Sequence, residues 1–124
     1  MDQHFQSKKS DIEKLLKDVR DIVNDKDFNY KKQFILETRR NDLEPGIYSN
    51  RNSMLLLDYD IEDVVKEIAL LTYDDYYETI IDVVGNELLL YVFKKQIKDY
   101  LIYIKFSIRR NKIIFCISFH VSKE

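Results

Sequence analysis

The stretch LIYIKFSIRRNKIIFCISFH, residues 101–120, decides the fold. Apolar and polar residues alternate along both of its halves, which is the period-2 pattern of half-buried β-strands. The dipeptide Arg110–Asn111 divides the halves and predicts a two-residue turn between strands at residues 101–109 and 112–120. The stretch therefore predicts an antiparallel hairpin with one apolar face and one polar face.

The two-residue turn also predicts which residues share a face of the hairpin. It pairs Lys105 with Cys116 and places His120 diagonal to Tyr103, within side-chain reach. A three-residue turn would shift the register and break this arrangement. The predicted apolar face holds Ile102, Ile104, Phe106, Ile108, Ile113, Phe115, Ile117 and Phe119. The predicted polar face holds Tyr103, Lys105, Arg109, Ser118 and His120.

Two further runs of strand-forming residues precede the hairpin. Residues 79–84 and 87–94 are rich in Ile, Val and Leu and are divided by Gly85–Asn86, so they predict a second pair of antiparallel strands. Earlier in the chain, residues 32–38 predict a short extended segment. Residues 39–46 contain the single proline and predict the main irregular loop.

Helical periodicity marks the first half of the chain. Ile12, Leu15, Leu16, Val19, Ile22 and Val23 repeat at helical spacing. Ser10 and Glu13 have the spacing of a capping box, and Asp60 is suited to cap a second helix. The helical segments predicted in this way are residues 10–24, 54–57 and 60–71, followed by a capped turn at Thr72–Asp75.

These elements together predict one α+β domain. A chain of 124 residues can form one core and is too short for two comfortable ones. We expect N-terminal helices packed on a small antiparallel β-sheet meander. Residues 1–9 are expected to form a flexible tail, residues 10–71 to be mainly helical and residues 76–122 to form the strands.

Composition indicates a globular protein of a reducing compartment. Hydrophobic residues make up 45% of the chain and charged residues 34%, a balance that a disordered chain would not show. The single cysteine excludes an internal disulfide framework. The first nine residues contain no apolar signal region, and no apolar run is long enough to span a bilayer. We therefore expect a cytoplasmic protein.

Charge is distributed unevenly along the chain, although the net charge is only −2. Residues 54–93 contain ten acidic residues and one basic residue, whereas residues 94–124 contain eight basic and two acidic residues. The basic end could contact a phosphate backbone, and the acidic middle could not. Alternatively, the two segments attract each other across the fold or form separate solvated faces.

The predicted polar face has the chemistry of a metal-independent ribonuclease. Cleavage of RNA by its own 2′-hydroxyl needs a base, an acid and cations for the charge on the phosphate. An imidazole such as His120 titrates near neutral pH, a hydroxyl such as that of Tyr103 can orient or donate, and Lys105 can hold phosphate. The structural alternative is an ordinary solvated face on which His120 only ends a strand.

Four motifs carry a resemblance to a known family. They are DIEDVVKEIALLTYDDYY at residues 60–77, YVF at 91–93, IYIKF at 102–106 and CISFH at 116–120. In this order and at similar spacing they resemble the MqsR-family toxins of bacterial type II toxin–antitoxin systems. The resemblance implies a RelE-like fold, cleavage of messenger RNA without a metal, and neutralisation by an antitoxin protein.

The resemblance also implies roles for individual residues. Tyr103 occupies the position of an active-site tyrosine, Lys105 that of the lysine in a Tyr-x-Lys strand, and His120 a position where relatives have His or Lys. We therefore predict Tyr103, Lys105 and His120 as catalytic residues. The basic end supplies the predicted contacts to single-stranded mRNA, which are Lys94, Lys95, Arg109 and Arg110.

One departure from the family pattern supports an alternative function. Glu78 stands where some members have a functional lysine. The alternative is a catalytically inactive, toxin-like module that binds another macromolecule as an inhibitor or regulator. The aromatic and acidic cluster Tyr73–Glu78 could then mimic nucleic acid or bind a basic partner, although it also fits a helix end with a solvated acidic face.

Other chemistries have weak support in the sequence. No metal-binding spacing is present, so we expect no metal and no cofactor. His4 is isolated in the predicted tail. The two glycines, Gly46 and Gly85, do not provide a phosphate-binding loop. Cys116 could be a reactive thiol beside Lys105, but a strand cysteine is more often a small packing residue.

Overall fold

The protein is an α+β fold built on one six-stranded sheet, as the sequence predicts. A computed structural model describes residues 3–37, 46–81 and 88–123. The strands are β1 (Gln3–Phe5), β2 (Phe34–Leu36), β3 (Tyr76–Ile81), β4 (Leu89–Ile97), β5 (Tyr100–Arg109) and β6 (Ile113–Val121). Their order is β1-β3-β4-β5-β6-β2, antiparallel except for β2, which pairs with β6 in parallel. The sheet core is the meander of β3 to β6 that the sequence predicts.

Within the described residues, four α-helices lie in the first part of the chain. They are α1 (Lys9–Asn24), α2 (Tyr30–Gln33), α3 (Asn50–Leu57) and α4 (Ile61–Ala69). The Asp60 carboxylate caps α4 by accepting from the backbone N–H of Asp63. The Asp63 carboxylate in turn accepts from the backbone N–H of Asp60. The predicted box at Ser10 is wrong, because α1 begins one residue earlier with Lys8 as its N-cap and without a side-chain cap. Ser10 therefore lies inside the first turn.

The main core lies between the helices and one face of the sheet, which we name the inner face. The amphipathic helices α1 and α4 each bury apolar residues at helical spacing. Those residues are Ile12, Leu15, Leu16, Val19 and Ile22 of α1, with Val64, Val65 and Ile68 of α4. The inner face contributes Phe93, Ile102, Ile104, Phe106, Ile114, Cys116 and Phe119. The opposite side of the sheet is the outer face.

The turn between β5 and β6 has three residues, Arg110–Lys112, so the prediction of two is wrong. Lys112 closes it with a positive φ of 59°, as expected for a three-residue hairpin turn that ends in the left-handed region. The first pair of the hairpin is Arg109 with Ile113, one position away from the predicted register. This turn alone would place Tyr103 opposite Phe119.

A β-bulge in β6 shifts the register a second time. Phe106 pairs with Cys116 but Lys105 pairs with Ser118, so Ile117 is the extra residue. Beyond it, Tyr103 lies directly opposite His120 instead of diagonal to it. The turn and the bulge each add one residue, and together they return His120 to the face that carries Tyr103.

The first half of β6 consequently has its faces exchanged relative to the prediction. Cys116 is fully buried in the main core, opposite Phe106 and not opposite Lys105. Burial raises the pKa of the Cys116 thiol well above its ordinary value, so a reactive role is disfavoured. Phe115 and Ile117, predicted to be apolar-face residues, are only partly buried and lie on the outer face.

The N-terminal segment is also part of the sheet. Residues 3–5 form β1 and pair with β3, whereas the sequence predicts a flexible tail. Side-chain contacts anchor the segment further, since the Ser7 backbone N–H donates to the Tyr76 hydroxyl over 2.9 Å. The predicted turn at Gly85–Asn86 and residues 39–45 of the predicted loop lie outside the described residues. No helix in the described ranges is long and apolar enough to cross a membrane.

Two buried polar side chains of α3 bind the end of β6, where β2 no longer pairs with it. The Asn50 amide donates to the Ile117 carbonyl at 3.0 Å and accepts from the Phe119 N–H at 2.9 Å. The Ser53 hydroxyl accepts from the Val121 N–H at 2.9 Å. Both side chains are fully buried. They fix the backbone at the bulge and beyond it, and hence the position of His120.

Candidate functional site

Three side chains form a row across the outer face of the central strands. Lys94 of β4 pairs with Tyr103 of β5, and Tyr103 pairs with His120 of β6. The rings of Tyr103 and His120 are stacked, with centroids 5.4 Å apart and an angle of 19° between their planes. The sequence predicted all three as site residues, and the fold places them side by side.

The orientation of the His120 ring is set by its own backbone. Its Nδ1 lies 2.9 Å from the Val121 carbonyl oxygen. A carbonyl oxygen can only accept, so Nδ1 must donate its proton. In the neutral ring this leaves the lone pair on Nε2, the form in which an imidazole can take a proton from a substrate.

Lys105, another predicted catalytic residue, lies near Tyr103 on the same strand. Lys105 follows Tyr103 by two positions on β5, and both therefore project from the outer face. Lys105 pairs with Val92 on one side and with the buried Ser118 on the other. A small apolar cluster supports this region, formed by Ile80, Leu90 and Val92 with Tyr103 and Ile117 packed against it.

The Tyr103 hydroxyl is held in its protonated form. Burial raises its pKa above the ordinary value, and the nearby Glu78 carboxylate and Tyr77 raise it further. A protonated phenol can donate a hydrogen bond at neutral pH. Tyr103 is thus suited to donate to a phosphate oxygen rather than to accept a proton.

Glu78 is on the same face and has a partner that the sequence did not reveal. Its carboxylate lies 2.9 Å from Nδ1 of His4, which reaches it from β1. His4 is therefore not isolated, contrary to the prediction. The pairing of β1 with β3 brings the two together, and three residues of strand without apolar alternation gave no sequence signal for it.

The remaining predicted RNA contacts are separated from this row. Lys95 projects from the inner face, where its Nζ lies 2.9 Å from the Glu67 carboxylate. Arg109 is six residues from Tyr103 along β5, about 20 Å away, and lies over the Phe115 ring at 4.1 Å from the centroid. Arg110 lies in the turn beyond it. The fold therefore groups Lys94 with the three predicted catalytic residues and separates the other cations from them.

The aromatic and acidic cluster Tyr73–Glu78 divides between the two faces of the sheet. Tyr73 and Tyr76 stack with centroids 5.9 Å apart and pack against the main core. Asp75 accepts from the Thr72 N–H and closes the predicted capped turn. Tyr77 and Glu78 reach the outer face. The cluster therefore directs its aromatic side chains to both faces of the sheet and does not present them together.

Two kinds of residue near the site were not predicted as such from the sequence. Asn50 and Ser53 precede the apolar cluster at residues 54–57. Both are polar residues on the buried side of α3, and nothing else in the sequence marks them. Tyr77 was predicted only as a member of the aromatic and acidic cluster Tyr73–Glu78, and not as a neighbour of Tyr103. No group of three His, Cys, Asp or Glu side chains within residues 3–37, 46–81 and 88–123 is arranged to hold a metal ion.

Comparison with known proteins agrees with the motifs. The family model of the MqsR toxin, described as motility quorum-sensing regulator, toxin of MqsA, matches residues 15–121. The match includes α4, all of β3 to β6 and the row formed by Lys94, Tyr103 and His120. No curated protein matches the chain significantly. Because the family model covers most of the sequence, the chain belongs to the MqsR family of toxins of toxin–antitoxin systems.

Proposed function

We propose that this toxin is a metal-independent endoribonuclease that cuts single-stranded messenger RNA on the outer face of its sheet. The observation that carries the proposal is the stack of His120 on Tyr103, flanked by Lys94 and Lys105. A base, a hydroxyl donor and two cations are the groups that cleavage by a 2′-hydroxyl requires. Membership of the family supports an antitoxin protein as the partner that neutralises the activity.

In the proposed reaction Nε2 of His120 takes the proton of the 2′-hydroxyl. The 2′-oxygen then attacks the adjacent phosphorus, and the bond from phosphorus to the 5′-oxygen breaks. Tyr103 gives a proton to the departing 5′-oxygen and recovers one from solvent, and His120 releases to solvent the proton that it took. Lys94 and Lys105 stabilise the charge on the phosphate. The products are a 2′,3′-cyclic phosphate and a 5′-hydroxyl, and no oxidant or metal takes part in the balance.

The test compares two histidine variants on RNA. Purified protein is incubated with single-stranded RNA in EDTA, with and without ribosomes, and the termini of the products are identified. We expect His120→Ala to lower the cleavage rate about 100-fold or more and His4→Ala, the matched control, to lower it less than about threefold. Intact RNA at micromolar protein under both conditions would refute the nuclease and favour the inactive, protein-binding alternative. Equal activity of wild type and His120→Ala would refute the assigned role.

A further inference from the structure

Tyr77 occupies an irregular position in β3 beside the candidate site. The register between β3 and β4 shifts between Tyr76 and Glu78, so Tyr77 is the extra residue of a bulge. A bulge redirects a side chain and is common next to active sites. Here it lets Tyr76 pack into the main core while Tyr77 keeps 45% of its surface exposed on the other side of the sheet.

The exposed ring of Tyr77 is adjacent to the Lys94–Tyr103–His120 row. The Lys94 ammonium lies over it, with Nζ 4.0 Å from the ring centroid. Lys94 in turn pairs with Tyr103. One lysine therefore connects an exposed aromatic ring with the proposed catalytic tyrosine, and this ring lies one strand beyond the row that would hold the scissile phosphate.

An aromatic ring next to a cation is the usual combination for binding a nucleotide of a single strand. The ring stacks on the base and the cation meets the phosphate backbone. Paired bases in a duplex are already stacked on both sides and cannot use such a ring without unpairing. A ring at this location would thus select single-stranded RNA over duplex RNA.

We propose that Tyr77 is a stacking platform for one nucleobase next to the scissile phosphate, and that Lys94 moves between the ring and that phosphate when RNA binds. This inference rests on the proposed function, because it assigns a base-binding site to the same outer face. Tyr77 is a binding residue in this proposal and takes no part in proton transfer.

The test combines variants of Tyr77 with RNA that lacks one base. Tyr77→Phe keeps the aromatic ring, whereas Tyr77→Leu replaces it with an apolar side chain that has no ring. The two variants change the same position and differ in the ring. RNA affinity is measured by fluorescence anisotropy in a His120→Ala background, in which RNA stays intact, with thermal melting as the check of folding. Abasic sites are introduced at each position around the cut.

We expect Tyr77→Leu to weaken binding of intact RNA about tenfold or more and Tyr77→Phe to weaken it less than about twofold. One abasic position should weaken binding to the Tyr77 protein by a similar factor and have no further effect on Tyr77→Leu. Equal affinities of the Phe and Leu variants would overturn the inference. It would also be overturned if an abasic site at every position weakened binding to Tyr77→Leu as much as it weakens binding to the Tyr77 protein. If the wild type binds RNA but does not cleave it, only the proposed cleavage is overturned. If it does not bind RNA, both the cleavage and the stacking role of Tyr77 are overturned.

Discussion

The His120 imidazole lies directly opposite Tyr103 and stacks on its ring at a centroid separation of 5.4 Å. The two rings therefore position each other, and Tyr103 has two separable roles. Its ring orients the imidazole, and its hydroxyl donates to the substrate.

Substitution at Tyr103 should separate these roles. Tyr103→Phe keeps the stack and removes the hydroxyl, so we expect about a 100-fold lower cleavage rate with unchanged His120 resonances in NMR spectra. Tyr103→Leu removes both and should also shift those resonances. A Phe variant with the activity of the wild type would show that the hydroxyl has no part in the reaction.

The Glu78 carboxylate should limit RNA cleavage, because it places a negative charge near Tyr103. Glu78→Gln removes the charge, and we expect kcat/KM for RNA to rise about three- to tenfold at low salt. The gain should shrink as added salt screens the charge. Glu13→Gln makes the same change on an exposed position of α1 and should leave kcat/KM within about twofold. An equal gain in both variants would indicate an effect of net charge only.

Asn50 should be essential for the stability of the fold as well as for the position of His120. Asn50→Ala leaves the Phe119 N–H and the Ile117 carbonyl without their side-chain partner. Unsatisfied buried groups are costly, so we expect the free energy of unfolding to fall by about 3 kcal/mol. Urea denaturation measures this loss. Asn52→Ala, two residues away and exposed, should cost less than about 1 kcal/mol, and a similar loss in both would contradict the assigned role.

Tyr59 should make stability sensitive to alkaline pH. Burial, together with the hydrogen bond that its hydroxyl donates to Glu67, raises its pKa from near 10 to about 12. The unfolded tyrosine ionises near pH 10 while the folded one stays protonated, so its contribution is complete below pH 10 and is lost as pH rises toward 12. We therefore expect wild type to be more stable than Tyr59→Phe at pH 8. Thermal melts should show this difference narrowing between pH 10 and 12, and a constant difference would contradict the shift.

One periodicity that extends over many residues predicts a buried face well. The apolar stripe of α1 and the alternation of β5 predicted their buried faces correctly, because long regular patterns average out local exceptions. The predicted faces of β6 are wrong near Cys116, because one residue more in the turn inverts every side chain that follows. The bulge at Ile117 inverts them again, so His120 lies on the predicted face, but directly opposite Tyr103 and not diagonal to it.

Contacts between distant segments were beyond prediction for a different reason. β1 is three residues long, and its pairing depends on β3, which is more than 70 residues away in sequence. No sequence pattern predicts the hydrogen bonds between Asn50 and β6. Such contacts are specified by tertiary geometry, which short-range spacing does not encode.

The side chains of Asn50 and Ser53 have a consequence for the association of this protein with other chains. A strand at the end of a sheet normally offers its main-chain groups to any extended segment that can align with it. Beyond β2, the Ile117 carbonyl and the N–H groups of Phe119 and Val121 are already bound within the molecule. The strand that carries His120 is thereby closed to strand addition, so an antitoxin or a second copy that extends the sheet must do so at another strand.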